Sequence, residues 1–220
     1  MRRFFGLYEW VGPLLLTPLA IWLWLLASRG NWAVSAIGLA IPVLHGYVVP
    51  GVGCALLRVW SFTARRGGGG FLPQHGFLFG SATSATAAVL FLLSGGAPSA
   101  VRATLVASVL LAINWAVDAL AIRHGALIVR NQRWADGASA WAIAGDYVVW
   151  FFGLSGLAYA AIMLAVLAAS PPASGGGDIL AWTLHGLLTT TVPPTLAYIA
   201  SSWLQHGHSG CRPIAPRGAE

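Results

Sequence analysis

The hydrophobic positions of this chain gather into six long stretches, separated by short polar or glycine-rich connections. An α-helix needs about 20 apolar residues to cross the hydrocarbon core of a bilayer, and each stretch is close to that length or longer. The stretches cover residues 11–28, 32–60, 77–94, 100–122, 147–169 and 179–204. This pattern predicts an all-α fold: a polytopic membrane helix bundle with six transmembrane helices.

The connections between these stretches are rich in residues that end helices. Glycine fills positions 67–70, a Gly-Gly-Ala-Pro turn occupies 95–98, and a Pro- and Gly-rich segment covers 171–177. The longest polar stretch, 124–145, contains an apolar segment at 138–144 that is too short to span. We therefore predict one transmembrane domain over residues 1–204 and a flexible cytoplasmic tail over 205–220.

Composition agrees with a membrane environment. Hydrophobic residues make up 57% of the chain and charged residues only 8%, whereas soluble domains carry about 25% charged residues. This composition excludes both a soluble globule and a disordered chain. All twelve basic residues are Arg. Because there is no Lys, Schiff-base chemistry with retinal or pyridoxal phosphate is excluded.

The distribution of Arg predicts the orientation of the bundle. With both termini in the cytoplasm, only Arg29 and Arg102 lie outside. The ten that lie inside are Arg2, Arg3, Arg58, Arg65, Arg66, Arg123, Arg130, Arg133, Arg212 and Arg217. Such a split is the positive-inside signal of a membrane protein, and it favours the cytoplasmic (inner) membrane of a bacterium. The lipid bilayer is the expected partner and nucleic acid is not, because the Arg residues flank apolar runs.

Ionisable groups inside the membrane are costly and indicate where function is located. Asp118 and Asn114 lie four residues apart on one helix face, and His45 lies near the middle of the second stretch. We predict Asp118 and His45 as catalytic residues and Asn114 as a substrate-binding residue. The competing interpretation is that each makes an ordinary interhelical hydrogen bond.

Three further residues are predicted to contribute to substrate binding. Trp115 lies too deep in its helix for an interfacial aromatic belt, and with Tyr47 it is a candidate wall of a cavity. His185 is the ionisable residue of the sixth stretch. Asp146 is interpreted differently, as a cap at the start of the fifth helix.

The histidines leave the cofactor open. Five of the six are followed by Gly: His45, His75, His124, His185 and His206. Haem held by His45 and His185 requires both rings at one depth, and their predicted depths differ. No metal site is predicted, because the spacings H-x-x-x-H and H-E-x-x-H are absent.

One short segment resembles a known family. Gly153-Leu154-Ser155-Gly156 is similar to the G-x-S-G around the nucleophile of rhomboid intramembrane proteases. The resemblance implies Ser155 as a nucleophile. It covers four residues and departs from the family where the general base is expected, since His185 is one helix later rather than two. Packing of small residues between helices is the alternative.

Three function classes follow from the sequence. The first is an integral membrane enzyme that acts on a lipid or isoprenoid, a hydrophobic small molecule, by acid/base chemistry in an intramembrane cavity. The second is a transporter or channel for a small solute or metal ion, for which Pro42, Pro50, Pro193 and Pro194 supply candidate helix breaks. The third is a non-catalytic subunit of a membrane complex. The sequence favours the enzyme and leaves the oligomeric state open.

Overall fold

A computed structural model describes residues 2–62, 70–71, 73–172 and 175–215, with side chains from residue 6 onward. Eight α-helices follow one another in these residues: α1 (Arg2–Ala27), α2 (Trp32–Gly51), α3 (Pro73–Leu93), α4 (Ser99–Arg123), α5 (Gln132–Ala135), α6 (Ala140–Val148), α7 (Ser155–Ala169) and α8 (Gly176–His206). Arg65, Arg66, Arg217 and most of the glycine run 67–70 lie outside the described residues. The predicted all-α membrane bundle is thus supported by the helical architecture.

Two π-helical segments extend the α-helices. Val52–Leu56 continues α2, and Val149–Leu154 joins α6 to α7. The fifth membrane helix therefore runs from Ala140 to Ala169, seven residues earlier than predicted. Ser139 explains this start, because its side chain accepts a hydrogen bond from the Ala142 N–H. The segment 138–144 is thus largely the first part of this helix.

In the described chain, five helices are long and apolar enough to cross a membrane. They are Gly6–Ala27, Trp32–Leu56, Pro73–Leu93, Ser99–Arg123 and Ala140–Ala169. Helix α8 has 31 residues, but its five Thr and two Pro residues reduce its mean hydropathy, and it is not one of these five helices. Its ends lie beside those of the fifth helix: Trp182 packs against the core cluster that contains Val166, and His206 contacts Asp146.

The prolines do not break the helices that contain them. Helix α2 continues through Pro42 and Pro50, and α8 continues through Pro193 and Pro194. The predicted interruption of these helices was therefore wrong. Broken helices were the sequence feature that favoured a transporter, and both helices are continuous. A proline has no N–H for the carbonyl four residues earlier, so each helix needs another donor at that position.

Hydroxyl groups of neighbouring helices supply that donor at two of the prolines. The Gly38 carbonyl, four residues before Pro42, accepts hydrogen bonds from the Ser84 Oγ at 2.8 Å and from the Tyr159 hydroxyl. The Thr190 carbonyl, four residues before Pro194, accepts one from the Ser155 Oγ at 2.7 Å. Because the hydrocarbon core offers little water to such carbonyls, hydroxyl groups of neighbouring helices stabilise a proline-containing helix there.

A small β-ribbon closes one end of the bundle. Strand β1 (Trp60–Phe62) pairs antiparallel with β2 (Leu127–Val129), with Ser61 opposite Ile128. The second helix was predicted to continue to residue 60, but Trp60 is the first residue of strand β1. The described part of the tail joins this end, since the Ile214 N–H donates to the Arg130 carbonyl at 3.1 Å. A flexible tail beyond these contacts stays a prediction.

Ser155→Ala should lower the free energy of unfolding by about 1–3 kcal/mol, because it leaves a buried carbonyl without a donor. In a Pro194→Ala background the new N–H can reach the Thr190 carbonyl, so we expect the cost of Ser155→Ala to fall toward zero. Unfolding of the four proteins in mixed micelles, followed by circular dichroism, measures this coupling.

Ser201→Ala is the matched control. The Ser201 hydroxyl accepts from Gln205 on α8 and serves no proline-freed carbonyl, so we expect a change within about 0.5 kcal/mol. Equal costs of Ser155→Ala in both backgrounds would contradict this explanation of the hydrogen bond.

Candidate functional site

A cavity of about 180 Å³ lies inside the bundle, between α2 and α3 on one side and α4 and the fifth membrane helix on the other. Its lining is mostly apolar. The β-ribbon closes it at one end through Trp60, Phe62 and Leu127. Ile113 and Val117 of α4 belong to the lining and are 46% and 41% exposed. The cavity is partly open, and these exposed residues lie on α4, a helix long and apolar enough to cross a membrane.

The cavity lies between two closely packed helix pairs, α2 with α3 and α4 with α7. Glycines allow the close approach within each pair. A Cβ at Gly80 of α3 would lie 2.3 Å from the Val43 Cα of α2, and one at Gly156 of α7 would lie 3.4 Å from the Ala107 Cα of α4. Helices α3 and α4 themselves meet near their connection, where the Arg102 guanidinium lies 4.8 Å from the Phe91 ring centroid. Away from that end, side chains of both helices line the cavity.

Asp118 and Tyr147 form the most polar part of the cavity wall. The Tyr147 hydroxyl donates a hydrogen bond of 2.6 Å to the Asp118 Oδ2. Tyr147 is 4% exposed, and its ring packs against Trp60 with centroids 5.7 Å apart. A carboxyl group and a phenol in direct contact inside an apolar cavity can exchange or position a proton.

Asn114 and His45 also belong to the polar part of the lining. The Asn114 Nδ2 donates to the Leu110 carbonyl on its own helix at 2.7 Å, which leaves the side-chain carbonyl for another donor. The His45 Nδ1 lies 3.2 Å from the Thr191 Oγ1 of α8. This contact fixes the imidazole between α2 and α8. The structure thus brings three predicted residues, Asp118, His45 and Asn114, to one cavity.

The other three predicted residues lie outside this cavity. The Trp115 Nε1 donates to the Trp141 carbonyl at 3.0 Å, and its ring covers Gly145. Tyr47 packs over Gly76, with its hydroxyl donating to the Pro73 carbonyl. His185 is exposed beside Trp182. It lies six residues, or about 9 Å, along α8 from the threonine that contacts His45, so the two imidazoles do not face each other as haem ligands.

Ser155 also lines the cavity, but its hydroxyl is directed at the backbone. It donates to the Thr190 carbonyl at 2.7 Å, and the Trp150 carbonyl lies 3.4 Å away. In the described part of the chain, the Ser155 hydroxyl makes no hydrogen bond to a histidine. The geometry that a nucleophilic serine needs is a hydrogen bond to a general base, so Ser155 serves helix packing here.

Asp146 does not cap a helix, contrary to prediction, because α6 already begins at Ala140. Its carboxylate accepts from the Asn131 Nδ2 at 3.0 Å and lies 3.1 Å from the His206 Nε2. The ring of His208 stacks on that of His206, 5.8 Å away. Burial lowers the pKa of His208, and the neighbouring His206 and Arg212 lower it further. This cluster joins the end of α8 to α6.

Two features of this region were missed by sequence reasoning. Tyr147 was treated as the first residue of a helix, and no sequence signal indicated that its hydroxyl would contact Asp118. Glu9 was placed before the first span, yet its Oε1 lies 3.5 Å from the Nε2 of His75 between α1 and α3, and both side chains are buried. Within the described residues, no three His, Cys, Asp or Glu side chains form a group suited to a metal ion.

No protein family, curated protein or solved structure shows a significant match to this chain. The helices define a multi-pass membrane protein, and its chemistry has to be argued from the cavity alone.

Tyr147→Phe should lower the free energy of unfolding by about 1–3 kcal/mol, because it removes the phenol that is bonded to the Asp118 carboxyl. If that bond carries the cost, the effect of Tyr147→Phe should shrink in an Asp118→Ala background. A double-mutant cycle in mixed micelles measures the coupling, for which we expect about 0.5–3 kcal/mol.

Tyr198→Phe provides the control for loss of a phenol. Its hydroxyl reaches the Gly210 carbonyl only at 3.5 Å, so the expected change is within about 0.5 kcal/mol. Strict additivity of Tyr147→Phe and Asp118→Ala would contradict a direct bond between the two side chains.

Proposed function

We propose that this protein is an integral membrane enzyme that acts on a lipid or isoprenoid substrate by acid/base chemistry. One observation carries the proposal: a carboxyl and a phenol are hydrogen-bonded at the wall of an apolar cavity that extends to the exposed residues Ile113 and Val117 of α4. A carboxyl group is costly inside a membrane. A site that binds the polar group of a hydrophobic substrate explains why a carboxyl group is present there despite its cost.

In this proposal Asp118 gives or takes the proton, and Tyr147 holds its carboxyl in position. The hydrogen bond from Tyr147 occupies Oδ2, so Oδ1 is the oxygen available to the substrate. His45 is the second acid/base group. Its Nδ1 is engaged by Thr191, which leaves Nε2 for the substrate. The Asn114 side-chain carbonyl is an acceptor for a hydroxyl or amide of the bound molecule.

The lining of the cavity selects the substrate class. Apolar side chains such as Ile41, Leu78 and Phe79 surround the polar groups, so a molecule with one polar group and a hydrocarbon body fits. Entry from the bilayer is supported by the exposed lining residues Ile113 and Val117. A small hydrophilic solute would find few partners along these walls.

We further propose that α8 is a sixth membrane crossing, with both termini in the cytoplasm and the protein in a bacterial inner membrane. Support comes from its length and from its contacts with α2 and α7 through Thr191 and Thr190. Arg58 and Arg130 lie together at the β-ribbon end, where the Arg130 Nη1 donates to the Arg58 carbonyl at 3.2 Å. That end is the cytoplasmic one by the positive-inside rule.

The proposal is tested by comparing the lipids of cells that produce the wild-type protein, Asp118→Asn or Asp178→Asn. We expect at least one lipid or isoprenoid species to change in amount with the wild type. Asp118→Asn should reduce that conversion by about 10²–10⁴-fold, the usual contribution of a general acid or base.

Asp178→Asn is the matched control, because Asp178 is an exposed carboxylate in the first turn of α8. It should behave like the wild type, and the three proteins should be present in the membrane in equal amounts. An unchanged conversion in Asp118→Asn would remove this residue from the chemistry and contradict the proposal.

A further inference from the structure

A second cavity, of about 220 Å³, lies next to the first and nearer the β-ribbon end. It is bordered by the end of α2 with its π-helical extension, by α8 and by the tail. Its lining includes Val48, Val52, Leu57, Thr195 and Cys211. None of these residues was predicted as functional, and the proposed chemistry at Asp118 does not use them.

The two cavities share one wall. Val49, Trp60 and Phe151 line both of them. The Trp60 and Phe151 rings meet edge to face with centroids 5.8 Å apart, so a single layer of side chains separates the two spaces. A hydrogen bond also crosses between them, since His45 lines the first cavity and its partner Thr191 lines the second.

Both π-helical segments border this shared wall. Val52–Leu56 places Gly53 beneath the Trp60 ring, where a Cβ would lie 2.3 Å from the ring. Val149–Leu154 supplies Phe151. A π-helical turn carries one poorly paired residue and is frequent at functional sites. Both π-helical segments contribute to one wall, which indicates that this part of the bundle is arranged around the wall and the two cavities that it separates.

We propose that the second cavity holds the far end of the hydrocarbon chain of the substrate whose polar group binds at Asp118. This inference rests on the proposed function. The occupant is a single acyl or isoprenyl chain, because the lining is mostly apolar and begins one aromatic layer from the polar groups. A cavity of about 150 Å³ accepts benzene, so the second cavity takes roughly nine carbon atoms. Entry requires the Trp60 and Phe151 rings to separate.

Photolabelling tests where the chain lies. The wild-type protein, in phosphatidylcholine vesicles, is incubated with palmityl alcohol that carries a diazirine at its terminal carbon. After illumination, mass spectrometry of peptides locates the labelled residues. We expect label on residues that line the second cavity and not the first, such as Val52, Leu57, Thr195 or Cys211. Label confined to residues of the first cavity would overturn the inference.

Two filling variants distinguish a substrate chain from an independent bilayer lipid. Ala82 lines the first cavity, so Ala82→Phe should reduce label in both cavities by about tenfold or more. Val52→Phe should reduce label in the second cavity only. The matched control is Leu56→Phe on the same π-helical segment, since Leu56 is 74% exposed and should leave both signals unchanged.

Val48 and Val52 are themselves 39% and 38% exposed, so a lipid entering directly from the bilayer has a route. In that case Ala82→Phe would leave label in the second cavity undiminished, which would overturn the inference. Failure of the proposed function looks different. Asp118→Asn would then leave the cellular lipids unaltered relative to wild type, even if the labelling follows the expected pattern.

Discussion

The fold depends on hydrogen-bond donors for two backbone carbonyls, those of Gly38 and Thr190, that prolines leave free inside the bilayer. Four helices meet at one such carbonyl, that of Gly38. The Trp24 Nε1 of α1 donates to the Ser84 Oγ of α3 at 3.0 Å, and Ser84 in turn donates to Gly38 of α2, as does Tyr159 of α7. Because an unpaired carbonyl costs several kcal/mol in hydrocarbon, this junction fixes how α2 and α3 stand relative to α7. The bond from Ser155 to Thr190 does the same for α7 and α8.

The cavity is a consequence of this arrangement. Small residues and hydroxyls hold α2 against α3, and α4 against α7, so side chains do not fill the space between the two pairs. Asp118 and Tyr147 face that space from α4 and α6, and His45 faces it from α2. A junction of buried, fully bonded groups keeps the walls fixed, whereas the aromatic layer of Trp60 and Phe151 has no hydrogen bond between its rings. We expect motion at that layer.

Much of this architecture is visible in the sequence, because apolar runs of membrane length leave few alternatives. Asp118, Asn114 and His45 could be selected because charged or polar groups in hydrocarbon are rare. Trp115 and Tyr47 were selected as aromatic residues that could line a cavity, and His185 as the ionisable residue of the sixth stretch. Rotation about the helix axis decides which space a side chain enters, and these apolar helices give no sequence signal for it. The β-ribbon was missed because Trp60 was assigned to the end of the second span and Leu127-Ile128-Val129 to the longest polar stretch. The prolines were predicted to break their helices because the hydroxyl groups that donate to the freed carbonyls come from helices far away in the sequence.

The central claim is that the cavity beside Asp118 is reached from lipid rather than from water. A nitroxide at position 83 tests it, since Thr83 lines the cavity; Thr83→Cys is labelled in a background in which Cys54 and Cys211 are Ser. Electron paramagnetic resonance in vesicles then compares collisions with oxygen, which dissolves in lipid, and with a water-soluble nickel chelate. If the cavity opens to lipid, we expect strong relaxation by oxygen and almost none by the chelate. Relaxation by the chelate as strong as at an exposed Asp178→Cys label would contradict it and indicate a water-filled path.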